Sequence, residues 1–162
     1  IDGVRATTRK GFTLGVRLSP ERWGIDTLEI RDLAQRLMRE AKVDFIDMSL
    51  WDVRKEPAEE KLQGRTLASY FTELERGDVR LGAAGKIMSA QDCRDVLAMG
   101  FDLPILGRAA ILHHDFPNRA AADADFSARA TPVSEAYLRD EGLGPAFVTY
   151  MRTWKGFVEE AA

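Results

Sequence analysis

The sequence predicts an α/β fold of the (β/α)8 barrel type, with about four βα units (the second half of such a barrel) followed by C-terminal helices. Three observations predict it. Short, mostly apolar runs of four to seven residues recur along the chain, the form taken by strands buried on both faces. The gaps between them carry a helical period, so the order is β-α-β-α-β-α-β and then helices, which implies a parallel sheet with right-handed crossovers. No strand end is followed by G-x-G-x-x-G, the fingerprint a doubly wound dinucleotide-binding sheet wants after its first strand.

Each element has its own local warrant. The strands are read at residues 12–18 (FTLGVRL), 43–49 (VDFIDMS), 79–84 (VRLGAA) and 103–106 (LPIL). Between the first two, residues 26–41 place Ile30, Leu33, Ala34, Leu37, Met38 and Ala41 at spacings of three and four, one stripe of an amphipathic helix. Asp26 and Glu29 stand at N-cap and N3 spacing before it. A shorter helix is expected over residues 66–75, bounded by Gly64 and Gly77. Residues 89–99 open with Ser89 and Asp92 at capping spacing and close at Gly100, a residue suited to the position after a helix end. Residues 12–108 thus hold the four βα units of a single partial domain spanning 1–162, and residues 109–162 form a helical tail. In that tail, 109–114 reads as a helical turn, 116–130 as a polar, alanine-rich stretch and 131–145 as a helix–turn–helix junction. Pro145 then opens a final helix with the stripe Phe147, Tyr150, Met151, Trp154, Phe157 and Val158.

Composition narrows the function classes. Hydrophobic residues are 45% and charged residues 30% of the chain, the balance of a folded domain. A formal net charge of −3 leaves no basic field for nucleic acid. The single cysteine, Cys93, excludes an internal disulfide framework and any four-thiolate metal site. His113 and His114 are the only histidines, and neighbours on a helix point about 100° apart, so no metal site is expected and a surface or helix-end role is. With no apolar run near the ~18 residues that span a bilayer, no membrane association is expected and a cytoplasmic location is the default. The chain opens on Ile1 and reaches an apolar run almost at once, which suggests that a larger N-terminal portion has been removed or left out.

Barrel enzymes carry their sites at the C-terminal ends of the strands. Those positions hold Arg17 after the first strand, residues 49–52 after the second, Gly85 and Lys86 after the third, and Gly107 and Arg108 after the fourth. A glycine ending a strand more often only turns the chain. Two of them with an arginine, at matching ends of successive strands, point instead to a bound anion, because glycine lets the backbone approach closely and a guanidinium grips phosphate in a bidentate manner. In a (β/α)8 barrel the loops after the last two strands are a frequent phosphate site. Cys93 reads as a small core residue inside its helix. Asp47 and Asp52 form a carboxylate pair whose geometry nothing in the sequence sets.

Four stretches, GVRLSP (15–20), VDFIDMS (43–49), AAGKI (83–87) and LGRAAILHHDFP (106–117), together resemble the C-terminal half of the old yellow enzyme family of flavin-dependent oxidoreductases. The resemblance covers about residues 11–117 with strand order and spacing kept, and the tail YMRTWKGFV also looks like that of bacterial members. It implies an eight-stranded α/β barrel that binds FMN and reduces activated C=C bonds of small molecules with NAD(P)H, by hydride transfer through the flavin. By position, Arg17 would sit beside the pyrimidine edge of the flavin, where a fixed guanidinium stabilises the anionic reduced form. The backbones of Ala84, Gly85, Lys86, Leu106, Gly107 and Arg108 would hold the FMN phosphate. Many relatives have glycine where Lys86 stands, which leaves its backbone rather than its side chain in that role. The family's substrate-carbonyl pair and proton-donating tyrosine would lie upstream of Ile1, so no catalytic acid is expected on this chain. The branch with a cysteine-bound iron–sulfur cluster is excluded, because residues 109–162 contain no cysteine.

Two other readings stand beside this one. A half-barrel could bind a phosphorylated ligand, or assemble with another half-barrel, without redox catalysis; another flavin- or phosphate-binding barrel is the third, against which GVRLSP and GRAAILHHDFP argue. A half-barrel exposes two sheet edges and an inner face, so association with an N-terminal half or with copies of itself is expected.

Overall fold

Four parallel strands in sequential order form the sheet of this α/β protein, and the computed structural model describes residues 1–160. The strands are β1 (Gly15–Leu18), β2 (Phe45–Ser49), β3 (Arg80–Ala84) and β4 (Leu103–Ile105). With α1 (Asp2–Thr7), α2 (Thr27–Glu40), α3 (Ser69–Thr72), the part of α4 (Ala90–Ala98) from Cys93 on and a 3-10 turn at Glu60–Leu62, they build the first of two compact units. That unit comprises Ile1–Ile87 and Cys93–Ile105, while Met88–Asp92 and the chain from Leu106 on form the second.

The register lines up Arg17, Asp47, Gly82 and Leu103 across all four strands. Because side chains alternate along a strand, the neighbouring row faces the other way. Ile46, Met48, Leu81 and Ala83 from those alternate positions are fully buried. The row with Arg17 is half-open: Arg17, Arg80 and Leu103 are exposed, and Asp47 is buried beside them. One face is therefore core, and the other is a mixed polar and apolar surface.

β1 is shorter than the expected run at residues 12–18. Residues before Gly15 are held by turns and side chains instead: the Asp44 carboxylate accepts the Leu14 N–H at 2.6 Å, and the Leu14 carbonyl accepts from the Asp44 N–H at 2.8 Å. Arg5, on the unanticipated helix α1, ties this region together by donating to the carbonyls of Phe12 and Lys42 and to the Asp44 carboxylate.

α2 forms where its cap and period place it. The Asp26 carboxylate accepts the N–H groups of Leu28 and Glu29 at 2.8 and 3.1 Å, the N-cap bonds that satisfy orphan donors. Its buried residues are Thr27, Ala34, Leu37 and Met38, whereas Leu33 and Ala41, members of the expected stripe, are exposed. The short helix expected over residues 66–75 contracts to α3, with Leu67, Ala68, Phe71 and Leu74 all buried around it. At α4, Ser89 Oγ accepts the Asp92 N–H at 3.0 Å, as the capping spacing predicts.

The second unit holds α5 (Arg108–Leu112), α6 (Phe116–Ala122), α7 (Glu135–Asp140) and α8 (Pro145–Met151). Leu112, Val133, Leu138, Val148, Met151, Phe157 and Val158 form its core. The final helix is shorter than its expected stripe. It stops at Met151, and Phe157 and Val158 are buried through a β-bridge, in which Val133 donates to the Phe157 carbonyl and Glu159 to the Val133 carbonyl, both at 3.0 Å. Phe147 and Tyr150 are exposed, and Val148, absent from the expected stripe, takes the core position. The stretch read as polar and alanine-rich contains α6, anchored by Phe116, which is fully buried edge-on to Phe126. No helix among the described residues is long and apolar enough to cross a membrane.

Candidate functional site

Arg17 is the centre of a small polar constellation on the half-open face of the sheet. Its Nη2 donates to Ser49 Oγ at 3.0 Å, and its Nε lies 3.5 Å from Asp47 Oδ2. The pairing follows from register, since Arg17 lies directly across from Asp47 and Ser49 is the next β2 residue on that face. The guanidinium remains more than half exposed while the Asp47 side chain is only 12% exposed. Asp47 Oδ1 is buried with no hydrogen-bond partner. Burial pushes the Asp47 carboxyl above the usual carboxylate range, and the charge of Arg17 opposes that rise. The result is a guanidinium held from below by an acceptor and a buried carboxylate, with donors left to face outward.

The next constellation lies at the ends of β2 and β3. Asp52 donates its N–H to the Leu50 carbonyl at 2.7 Å across Trp51, whose φ is +64°, which makes a tight three-residue turn of the rare, strained hand. Gly85 is the reason the turn fits: a Cβ there would lie 2.7 Å from the Asp52 nitrogen and 2.9 Å from the Trp51 carbonyl carbon. Glycine at 85 is thus required by the protein's own loop. Lys86 directs its ammonium to the Asp52 carboxylate at 2.9 Å, and this bond holds the Asp52 carboxyl below its usual pKa. Ala84 and Gly85 accept hydrogen bonds from Leu50 and Val53 through their carbonyls.

In the second unit, Leu106, Gly107 and Arg108 lead into α5. Gly107 is exposed, and a Cβ built on it would meet nothing within 4 Å. The Arg108 side chain is exposed and makes no ion pair among the described residues.

Of the surface or helix-end role expected of it, His113 takes the helix end, as the C-cap residue of α5, and is buried there. It is only 7% exposed, while His114 next to it is largely exposed and bonds Glu141 through Nδ1 at 2.8 Å. His113 Nε2 accepts the Arg129 N–H at 2.9 Å, which puts its proton on Nδ1, beside Tyr137 Oη at 3.3 Å and Glu141 at 3.7 Å. Burial pushes the imidazole pKa down, with Glu141 opposing. Burial also pushes the Glu141 carboxyl up, but the bonds from His114 overcome this and leave it below its usual value. His113, Asp115 and Glu141 bring potential metal-ligand atoms within 4.8 Å of one another. A metal on Nδ1 would require the opposite tautomer, with Nε2–H facing the Arg129 N–H, so the observed bonds suit a hydrogen-bonded cluster instead.

The residues singled out in the sequence thus fall into separate groups: Arg17 with Ser49 and Asp47, then Ala84, Gly85 and Lys86 with Asp52, then Leu106 to Arg108. Sequence reasoning placed residues 49–52 at a strand end but did not find the Ser49–Arg17 bond, which depends on strand register. Nor did it single out Arg22 and Trp23, which lie five and six residues beyond Arg17. No protein-family model matches this chain, and no curated protein matches it either.

Proposed function

We propose that this chain is the FMN-binding portion of an NAD(P)H-dependent oxidoreductase of old yellow enzyme type, the second half of a (β/α)8 barrel that reduces activated C=C bonds. The observation that carries the proposal is Arg17, held by Ser49 and Asp47 at a strand end on the half-open sheet face, where the family resemblance requires a flavin-side cation. The sequential all-parallel order of the four strands agrees with half of such a barrel.

The first unit's donors fit part of FMN: an outward-facing guanidinium at Arg17, and the glycine-containing backbone turn at Gly85 and Lys86 after β3. When bound, FMN supplies two-electron hydride chemistry. Arg17 provides preorganised positive charge for an electron-rich ring edge, and its Ser49 bond limits the reorganisation needed when negative charge develops. Asp47 orients the guanidinium from beneath. The amides of Gly85 and Lys86, and separately the Arg108 guanidinium, offer hydrogen bonds of the type that bind phosphate.

The test is a titration of the chain with FMN, followed by flavin fluorescence. Saturable binding is expected, weakened about ten- to a hundredfold in Arg17→Ala, the range for losing one charge-assisted contact. If no binding appears even when an upstream half-barrel is co-expressed with the chain, the proposal fails. A second reading, a non-catalytic half-barrel that binds a phosphorylated ligand or pairs with another half, draws on β1 and β4, each hydrogen-bonded on one side only. It predicts binding of FMN and of simple phosphate esters alike, with no NAD(P)H oxidation.

A further inference from the structure

We infer that Asp47 is a proton site coupled to Arg17: it takes up a proton when an anion settles on the outward donors of that guanidinium, and so sets the affinity for the anion. The inference rests on the flavin reading only for the name of one such anion, the reduced flavin; the coupling itself belongs to the two side chains. Asp47 lies directly across from Arg17 in the sheet, and its side chain is only 12% exposed. One carboxylate oxygen, Oδ2, is 3.5 Å from Arg17 Nε. The other, Oδ1, is buried with no hydrogen-bond partner among the described residues.

A buried carboxylate that serves only as a counter-ion is normally satisfied on both oxygens, and an arginine can supply two parallel hydrogen bonds to do so. Here Arg17 turns its Nη2 to the neutral hydroxyl of Ser49 instead, at 3.0 Å. Two aspartates close by in sequence show the ordinary arrangement. Asp44 accepts the Leu14 N–H and pairs with Arg5, and Asp52 accepts the Arg54 N–H and pairs with Lys86. Both carboxyls are held below their usual pKa by those bonds. In Asp47 burial outweighs the charge of Arg17 and pushes the carboxyl up. A buried oxygen without a donor disfavours the ionised form, so the group stands ready to take a proton once the charge beside it is engaged by something else.

The surroundings let this one proton decide. Gly82 and Leu103 lie across from Asp47 on β3 and β4 and bring no charge, and Phe45 and Ser49, its neighbours on the same face of β2, are neutral. Arg80, opposite Phe45, is paired with Asp102, and Lys86 with Asp52. Arg17 is thus the charged group that acts on Asp47. With Asp47 ionised, an approaching anion meets a pair whose charges cancel. With Asp47 protonated, it meets an uncompensated guanidinium that is more than half exposed. The two equilibria are linked, so the anion raises the proton affinity of Asp47 by the same factor by which the proton raises the affinity for the anion. In the flavin reading the negative charge that reduction places on the ring acts as this anion, and the proton taken up at Asp47 comes from solvent.

The experiment is a pH titration of the full chain, carbon-13 labelled at its aspartate carboxyls, followed by NMR with and without nitrate at constant ionic strength. Nitrate stays ionised throughout, so any pH dependence belongs to the protein. Asp47→Asn identifies the Asp47 signal. Its midpoint is expected above that of an ordinary aspartate, about 3.9, and is expected to rise further with nitrate. Nitrate, read at the Arg17 Nε–H signal, should bind at least about fivefold more tightly to the protonated form than to the ionised one, the low end for coupled sites. Asp47→Asn should show that tighter binding already at neutral pH and lose the pH dependence, which keeps the comparison decisive if the parent unfolds in acid. Arg17→Gln should abolish the nitrate-dependent shift and, by removing the opposing charge, raise the Asp47 midpoint without any anion. The same titration with FMN, oxidised and then reduced by dithionite, separates the two claims. Nitrate coupling without FMN binding leaves the inference standing and removes the flavin reading. An Asp47 midpoint that nitrate leaves unmoved overturns the inference whatever FMN does, as does an Asp47→Asn variant that binds nitrate no better than the parent at neutral pH.

Discussion

Glycine 85 illustrates how one residue can be named correctly for an incomplete reason. A strand-ending glycine beside a lysine suggests an anion cradle, yet the space its missing side chain leaves is filled by the backbone of Trp51 and Asp52. Gly85→Ala would drive a methyl group to within 2.7 Å of a main-chain nitrogen, which cannot rotate away as a side chain could. The expected result is a loss of roughly 1–3 kcal/mol in urea-unfolding stability, the range for overpacking. An alanine variant as stable as the parent would show that the loop after β2 is free to move. Arg17 and Asp47 make the complementary point. Their residue types and strand-end positions are visible in the sequence, but the buried, unpartnered oxygen of Asp47 exists only because the packed sheet excludes water from it.

Among the elements, α2 was legible because a local cap and a helical period agree, and neither depends on distant residues. α8 was only half legible. Its period continues past Met151, but the bridge of Val133 to Val158 takes the following residues out of helix, a pairing across more than twenty residues that no local pattern reveals. The contact between α5 and α7 yields a pH prediction. His113 is buried and neutral, with Glu141, Asp115, Arg119 and Arg129 as the charged groups acting on it. Its folded-state pKa lies below the unfolded value of about 6.5, so the unfolded chain takes up the proton first. Stability from this group is complete above that value and declines as the pH falls from about 6.5 towards the folded pKa. Faster amide exchange at Arg129 over that interval, relative to the exchange expected from pH alone, is the expected signature, because protonated Nε2 can no longer accept its N–H. His113→Gln should remove this pH dependence; a variant that keeps it would transfer the effect to another group.

For the whole molecule, the decisive feature is an all-parallel sheet with two open edges, β1 and β4, and a half-open face bearing Leu103 and Phe45. Parallel sheets are ordinarily covered on both faces, and unpaired edges template further pairing. The isolated chain is therefore expected to self-associate, with a light-scattering mass above that of one chain at micromolar concentration. A monodisperse monomer with a single cooperative unfolding transition would refute this. The sequence by itself determined the alternation of strands and helices, the cap of α2 and the placing of Arg17, Gly85 and Arg108 at or just after strand ends, all of which follow from local propensity and periodicity. The tertiary structure alone decided that Arg17 leans on Ser49 and Asp47, that Gly85 yields its space to Trp51, that His113 is buried, and that two strained tryptophans stand exposed beside Arg22. Each of these depends on register or on packing between segments distant in the chain, where the energy lies in contacts that no local stretch of sequence contains.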